Sequence, residues 1–162
     1  IQPFLTVHDA VDPVAVTITD TVTGSKMGVA TDLGRPTTSV RAALASSHLL
    51  VLEANHDDGR LWNGPYPWSV KQRIASSHGH LSNRAAAELA TELHHEGLAA
   101  VILAHLSDAC NEPRLAHDAV GASLGRAGFR GLLRVADQDD AGEPMDVEVL
   151  RARSAPAQLS LF

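Results

Sequence analysis

The sequence predicts an α/β protein that forms a single region over residues 1–162, with strands and helices alternating along the chain. Two short and almost wholly apolar runs, at 48–53 and 98–104, are typical of strands buried on both faces of a sheet. Capped amphipathic segments between and after these runs predict helices. Hydrophobic residues make up 44% of the chain and charged residues 20%, a balance that excludes a disordered or fibrous protein.

The first elements predicted are the two strands of a hairpin, at 13–20 and 26–30. Apolar side chains occupy every second position of the first strand, which is the period of a half-buried strand. Turn-forming residues separate the two runs. A threonine at position 37 or 38 is expected to cap a helix over 40–46.

The rest of the chain continues the alternation. Residues 55–67 are rich in Asn, Asp, Gly and Pro and predict a loop. The tail from Ser154 is expected to be frayed, with its last apolar side chains able to dock. The other predicted elements are helices over 68–76, over 82–97 (capped by Ser82 and closed by Gly97) and over 113–127, and strands over 132–136 and 145–151.

Charge and cysteine content exclude several classes of protein. The formal charge is −6, from 13 basic and 19 acidic residues, which argues against broad nonspecific binding to nucleic acid but leaves a local basic patch open. A single cysteine, Cys110, excludes an internal disulfide framework and a multi-cysteine zinc site. Neither a long apolar stretch nor a signal-type leader is visible, so we expect a cytoplasmic protein that makes no membrane contact.

Nine histidines are many for this length, and their positions matter because imidazole is the commonest metal ligand in proteins. His8 lies just before the first predicted strand, Asp32 two residues after the strand 26–30, and His105 at the end of the strand 98–104. Sites in layered α/β folds assemble at strand ends. These residue types suit zinc, manganese or iron. Taken singly, each is more often a structural histidine or a turn-forming aspartate.

Two further residues have positions that suggest chemistry. His80 precedes the helix capped by Ser82, where an imidazole suits phosphate recognition or a proton relay, although an ordinary loop histidine is equally consistent. Glu53 ends a buried strand and needs a histidine or a backbone amide as its partner. His56 and Asp57 lie in the long loop, within reach of a site. We expect structural or solvated roles for His48, His94, His95 and His117.

Five phrases follow one another along the chain: VHDAVDPV (7–14), GVATDLG (28–34), LVLEANHD (50–57), SSHGHLSNRAAAELA (76–90) and VILAHLSDACNEP (101–113). In this combination they resemble the second half of a metallo-β-lactamase-fold hydrolase. The branch they resemble is the YycJ/WalJ-like bacterial one, which is related to ribonuclease Z and ribonuclease J. The resemblance covers nearly the whole chain to about Pro113 and is weaker after it.

The resemblance implies a role for each candidate residue. His8 matches the histidine that completes the first metal site, Asp32 the aspartate that bridges two metals, and His105 the last histidine, on the second metal. His80 matches the catalytic histidine of the ribonuclease Z relatives, which acts on the scissile phosphate or the leaving group. Glu53 lies where those relatives carry a supporting glutamate. The implied cofactors are two divalent ions, zinc or manganese, with iron also allowed.

One part of the family's pattern is absent from the sequence. The signature His-x-His-x-Asp-His run, which supplies two ligands to each metal, does not occur in these 162 residues. We therefore expect a C-terminal half of the αββα sandwich that is active only with its N-terminal half. That partner, a separate or cleaved chain, would cover an apolar sheet face. Homo-oligomer formation remains open.

With both halves present, the resemblance implies that two ions about 3.5–4 Å apart hold a hydroxide that attacks phosphorus in line. His80, as imidazolium, would donate a proton, and Glu53 would orient it. Five basic residues near the predicted loops are candidates for contacts with a nucleic-acid backbone, although a solvated surface is the better interpretation for some of them. These are Arg35, Arg60, Lys71, Arg73 and Arg84.

Three functions stay open at the level of sequence. The leading one is a metal-dependent phosphodiesterase or nuclease that acts on DNA. The second keeps the metals but acts on a small ester, lactone or cyclic phosphodiester, because one fold supports many chemistries. The third is a catalytically silent half that serves as a binding or assembly module. The position of His80 favours phosphate chemistry, whereas the acidic net charge weakly opposes nucleic acid.

Overall fold

A computed structural model describes residues 1–154, which form one six-stranded mixed sheet with helices packed on it. The strands lie in chain order: β1 (Gln2–Leu5), β2 (Val14–Thr19), β3 (Lys26–Ala30), β4 (Leu49–Glu53), β5 (Ala100–Ala104) and β6 (Leu132–Val135). β1, β2 and β3 pair antiparallel, and β3 to β6 pair parallel. The α/β fold class predicted from the sequence, a mixed sheet flanked by helices, is confirmed.

Six helices connect or follow the strands. They are α1 (Thr38–Leu44), α2 (Asp58–Asn63), α3 (Trp68–Ile74), α4 (Asn83–Glu92), α5 (Pro113–Arg126) and α6 (Val147–Ser154). Thr37 and Ser82 cap α1 and α4, since each side chain accepts a hydrogen bond from a backbone N–H of the first turn. Among residues 1–154, no helix is long and apolar enough to cross a membrane.

One face of the sheet carries the main core. Leucines of β4 and β5 pack there against α1, α4 and α5, and most of these side chains are fully buried. Burial of each such leucine stabilises the fold by about 2 kcal/mol. Alternation places the remaining strand residues on the opposite face.

Residues 1–154 cover the opposite face of the sheet only in part. Val16 pairs with Val29, Val29 with Val51, and Val51 with Ile102, so that four aliphatic residues form one row across four strands. The three valines are half-buried, and Val51 also packs on the small cluster under α6 that contains Ile102. We call Val16, Val29 and Val51 the open row. It lies on the face for which the sequence predicts a covering partner.

Besides the segment 145–151, three elements differ from the sequence-based expectation. The sequence does not predict β1, because it is only four residues long and contains Pro3. Proline is tolerated here since β1 is an edge strand. The predicted loop 55–67 contains α2, with Asp57 as its cap. α4 ends at Glu92, five residues before Gly97.

The predicted strand 145–151 is wrong, because this segment forms α6. Asp146 caps the helix by accepting hydrogen bonds from the N–H groups of Glu148 and Val149. Val147 and Leu150, three residues apart, both pack on the small second core, whereas Val149 is exposed. The apparent period of two was therefore a helical face. The expectation that the tail docks through Leu159, Leu161 and Phe162 lies outside the described residues.

Candidate functional site

The candidate residues gather at one edge of the sheet. β1, β3, β4 and β5 all run in the same direction, so that their carboxyl ends meet there. His8, Asp32 and His105 follow β1, β3 and β5, and Glu53 is the last residue of β4. His80 enters from the loop before α4. Four of them, His8, Asp32, His80 and His105, line an open cleft of about 500 Å³, to which Asn55, Tyr66, Ile74, Leu106, Ser107 and Asp108 also contribute, whereas Glu53 is buried beneath it.

Asp32 lies at the centre of three histidines. Its Oδ1 is 3.4 Å from Nε2 of His8 and 3.8 Å from Nε2 of His105. The same oxygen is 3.8 Å from Nδ1 of His80. Residues more than 90 positions apart in the chain thus present ligand atoms to one point.

Hydrogen bonds determine which ring nitrogens face Asp32. Nδ1 of His8 donates to the carbonyl of Gly79 (2.9 Å), and Nδ1 of His105 donates to Oε1 of Glu53 (2.7 Å). A carbonyl can only accept, so the proton of neutral His8 lies on Nδ1 and its Nε2 keeps a lone pair. Metal-binding histidines usually have their second nitrogen held in this way, by a carbonyl or a carboxylate.

Glu53 organises the site from beneath. Its side chain is fully buried, and Oε1 accepts hydrogen bonds from Nδ1 of both His80 and His105, each 2.7 Å long. Oε2 accepts from the backbone N–H groups of Leu33 and Leu81, each at 3.0 Å. Four donors occupy the acceptor positions of one carboxylate, which leaves none for a metal ion. Both kinds of partner expected from the sequence, histidine and backbone amide, are therefore present.

These contacts set the protonation of the network. Burial raises the pKa of Glu53, but the hydrogen bonds from His105, His80 and the Leu81 amide outweigh burial and lower the pKa to about 2. The Glu53 carboxylate in turn raises the pKa of His105, against the opposing effect of burial. Glu53 is consequently a permanent anion that orients two imidazoles.

Two of the candidate residues have strained backbones. Asp32 and His105 adopt left-handed conformations, with φ of 53° and 59°, which cost a non-glycine residue about 1–2 kcal/mol each. Thr6 supports the first by donating from Oγ1 to the carbonyl of Asp32 (3.2 Å). Asn55 supports the second by donating from Nδ2 to the carbonyl of His105 (3.0 Å). Strain of this kind is common at functional sites.

The loop before His80 packs closely against its neighbours. The Asp9 N–H donates to the carbonyl of His78 (2.9 Å), next to the His8–Gly79 bond. A Cβ on Gly79 would collide with the backbone of α3 at Ile74. Glycine is therefore required for this loop to approach α3 and to bring its carbonyl to His8.

Sequence reasoning missed two residues of the site. Asp9 lies beside His8, with Oδ1 3.3 Å from Nε2, and its other oxygen pairs with Arg73. That hydrogen bond from Arg73 lowers the pKa of Asp9. Asn55 was missed as well, although it follows the strand that ends in Glu53. In both cases the signal was a polar residue within two positions of a residue already singled out.

Two residues considered near the site are structural. His56 is buried, and its Nδ1 has no hydrogen-bond partner among residues 1–154. Asp57 caps α2 by accepting from the Arg60 N–H. His95, expected to be solvated, is half-buried and donates from Nε2 to the carbonyl of Ser47 (3.0 Å).

Most of the basic candidates contact groups of the chain itself. Arg60 pairs with Glu112, Arg73 pairs with Asp9, Arg84 lies 3.5 Å from Asp58 and 3.1 Å from Glu88, and Lys71 Nζ donates to the Trp62 carbonyl (2.9 Å). Arg35 is exposed. Ion pairs at the surface contribute little to stability. Contact of these side chains with nucleic acid stays a prediction.

Comparison with known proteins identifies relatives in two bacteria. Over 129 residues, the chain is 32% identical to exodeoxyribonuclease YycJ of Bacillus anthracis, an alignment that covers 80% of this chain and 48% of that protein. Over 97 residues it is 35% identical to exodeoxyribonuclease WalJ of Streptococcus pneumoniae, with 60% and 36% covered.

A solved structure supports the same relationship at the level of fold. The metallo-β-lactamase fold protein YhfI of Bacillus subtilis superimposes with a TM-score of 0.54 at 21% identity. The alignment covers 83% of this chain and 45% of that chain. This chain is a homologue of YycJ and WalJ, with part of a metallo-β-lactamase fold.

The chain spans about half the length, or less, of the curated relatives it matches. That share fits the predicted C-terminal half of the sandwich. No protein-family model matches the chain. Asp32, Glu53, His80 and His105 bring ligand-type atoms within 4.8 Å of one another, a grouping that could hold a divalent metal ion. Because hydrogen bonds already occupy both oxygens of Glu53, the ligands within this group would come from the other residues.

Proposed function

We propose that this chain carries one side of a two-metal centre that hydrolyses phosphodiester bonds in DNA. One observation carries the proposal: His8, Asp32 and His105, from three separate strand ends, meet with the Nε2 atoms of both histidines directed at one carboxylate oxygen. The names of the YycJ and WalJ relatives, both exodeoxyribonucleases, support DNA as the substrate.

The donor atoms fit a divalent ion in chemistry and spacing. Two ligands at about 2.1 Å from a tetrahedral ion lie about 3.4 Å from each other. The His8–Asp32 distance is 3.4 Å and the His105–Asp32 distance is 3.8 Å. Imidazole with carboxylate suits zinc or manganese and also iron. Bound ions would supply a nucleophile from water near neutral pH and neutralise charge on the phosphoryl oxygens.

In this proposal His80 is the catalytic histidine and Glu53 its positioning residue. Nδ1 of His80 forms a hydrogen bond with Glu53, so Nε2 of His80 remains available to the substrate. The ring is 19% exposed and lines the cleft. From there Nε2 donates to a phosphoryl oxygen or to the leaving group. Glu53 holds the ring orientation through a hydrogen bond that substrate does not disturb, because the carboxylate is fully buried.

We further propose that activity requires the N-terminal half of the same fold, whose metal ligands are not among these 162 residues. His8, Asp32 and His105 are too few side chains to hold two ions, and the missing His-x-His-x-Asp-His run would supply the remaining ligands. The open row offers that half an aliphatic sheet face on which to dock.

The test combines metal content with activity. We expect elemental analysis to find substoichiometric metal on the chain alone and two divalent ions per complex once a polypeptide with the His-x-His-x-Asp-His run is added. The complex should cleave single- or double-stranded DNA and bis-p-nitrophenyl phosphate. Metal binding without phosphodiesterase activity would favour a small ester or lactone as substrate. If the complex contains no metal and shows no activity, the remaining function for the chain is that of a binding or assembly module.

A further inference from the structure

Half of the aromatic residues of the chain lie in one short segment. The sequence has only six (three Phe, two Trp and one Tyr), and Trp62, Tyr66 and Trp68 lie within seven positions. Trp62 is 40% exposed and Trp68 63% exposed. Their ring centroids are 5.3 Å apart, with planes inclined at 42°. We call Trp62 and Trp68 the tryptophan platform.

The platform rests on ordered structure. Trp62 is part of α2, next to the fully buried Leu61, and Trp68 begins α3. Lys71 Nζ donates to the Trp62 carbonyl (2.9 Å), which ties α3 to α2. Because the two rings pack on each other and their backbones belong to helices, they lose little conformational freedom when a flat ligand stacks on them.

Two residues near the platform in the chain line the cleft. Tyr66, between the two tryptophans in sequence, lines the cleft, and so does Ile74 at the far end of α3. From Trp68 to Ile74 the helix rises about 9 Å. A strand that leaves the cleft along α3 would therefore pass the platform within a short distance.

One basic side chain at the platform contacts no carboxylate among the described residues. Residues 59–87 contain four of the 13 basic residues. Three of them, Arg60, Arg73 and Arg84, pair with or lie near carboxylates of the chain, whereas Lys71 donates to the Trp62 carbonyl. Aromatic faces together with fixed positive charge are the combination that binds single-stranded nucleic acid.

We propose that the tryptophan platform stacks on unpaired bases of single-stranded DNA and guides the strand towards the cleft. The identity of the ligand as DNA rests on the proposed function. Paired bases are already stacked on each other inside a duplex, so a protruding aromatic face selects bases outside one. The platform thus makes a single strand the preferred form of the substrate.

The experiment uses the intrinsic fluorescence of the chain, because its two tryptophans both belong to the platform. The 162-residue chain is titrated in EDTA with a dodecamer of deoxythymidylate and with an abasic dodecamer of equal charge. We expect saturable quenching by the first and little by the second. In fluorescence anisotropy with labelled oligomer, Trp68→Ala should weaken binding at least about 5-fold, and Trp68→Phe should restore most of it. Val22→Ala, at a residue 92% exposed in the β2–β3 turn, is the matched control.

Three results would overturn the proposal: no quenching, equal quenching by the abasic oligomer, or tryptophan emission that shifts with protein concentration in the absence of DNA. The second result would show attraction to the backbone alone, and the third a platform covered by a second copy of the chain. EDTA removes divalent metal, on which the proposed cleavage depends but base stacking does not. The titration therefore tests the tryptophan platform independently of the proposed nuclease function. Loss of stacking with intact cleavage would reject the platform only, and stacking without cleavage would reject the nuclease only.

Discussion

Glu53 connects more of the site than any other side chain described. Its two oxygens accept hydrogen bonds from two imidazoles and from the amides that follow Asp32 and His80. A buried carboxylate is costly unless every acceptor position is filled, and here all are filled. The residue therefore stabilises the fold and sets the chemistry at once.

Glu53→Gln should destabilise the protein by about 3 kcal/mol, because the amide NH2 replaces one carboxylate oxygen and faces two of the four existing donors inside the core. Urea unfolding followed by circular dichroism measures the change. Glu88→Gln, at an exposed position of α4, is the control and should cost less than about 0.5 kcal/mol. Equal effects of the two substitutions would show that the Glu53 network contributes little.

Substitutions of the candidate metal ligands and of the candidate catalytic histidine should have different effects on metal content and on turnover. In the complete protein, we expect Asp32→Ala and His105→Ala to lower metal content and abolish turnover. His80→Ala should keep its metal and lower kcat by about 100-fold or more, the usual contribution of a general acid. His117→Ala, on the half-exposed side of α5, is the control. If His80→Ala loses metal but keeps its rate per bound metal, the two roles must be exchanged.

At the scale of elements, short helices and loops carry the site on a rigid sheet. The parallel ladders of β3, β4 and β5 fix where Asp32, Glu53 and His105 emerge. His80 depends instead on a loop held by Gly79 and by the cap of α4. The loop side of the site should therefore be easier to perturb than the strand side.

Ser82→Ala and Thr37→Ala form a matched pair that tests this difference. Each removes the side-chain cap of one helix and should cost about 1 kcal/mol in thermal or urea unfolding. Ser82 is two residues from His80, whereas Thr37 caps the distant α1. Only Ser82→Ala should also lower kcat of the complete protein. An equal loss of activity in both would mean that activity follows overall stability alone.

The buried histidine between β4 and α2 predicts sensitivity to acid. Burial lowers the pKa of His56, although Asp58 and Glu53 act weakly in the opposite direction. The unfolded chain then binds a proton near pH 6.5 while the folded chain does not, so stability falls as the pH drops below 6.5. One such group contributes at most about 1.4 kcal/mol per pH unit.

Urea unfolding at pH 7 and pH 5 measures this dependence. His56→Leu should lose part of the acid sensitivity, whereas His117→Leu, at a half-exposed position, should keep all of it. An unchanged slope in His56→Leu would show that this histidine is protonated alike in both states.

At the scale of the whole molecule, the two faces of the sheet differ. One face is closed by α1, α4 and α5, while the open row on the other is half-buried. An aliphatic row across three strands is expected to dock a partner. In the proposed function that partner is the N-terminal half of the sandwich.

Val16→Lys should weaken association with a polypeptide that carries the His-x-His-x-Asp-His half, since a charge would be buried in the new interface. Val22→Lys, in the exposed β2–β3 turn, should leave association unchanged. Isothermal titration calorimetry measures both, with circular dichroism to verify folding. Equal affinity of the two variants would place the interface elsewhere.

Elements that depend on neighbouring residues were predicted from the sequence, whereas elements that depend on contacts between distant residues were not. The strands of the parallel sheet and the caps at Thr37 and Ser82 depend on neighbours in sequence, so periodicity and composition predict them. The predicted strand at 145–151 is wrong because apolar residues alternating over a few positions fit either a strand or a helix. Only the packing of Val147 and Leu150 on the sheet distinguishes the two. β1 depends on pairing with β2, a contact between distant residues.

For this protein, sequence by itself determined the α/β class, most element positions and the motifs that resemble the metallo-β-lactamase fold, because these are properties of local patterns. Tertiary structure decided that Asp32 faces His8 and His105, that Glu53 holds two imidazoles, and that one sheet face stays partly open. Those facts depend on which strand ends lie at the same edge of the sheet and on which donors form hydrogen bonds with the Glu53 carboxylate. Strand order and hydrogen-bond pairing join residues far apart in the chain, and no local pattern encodes them.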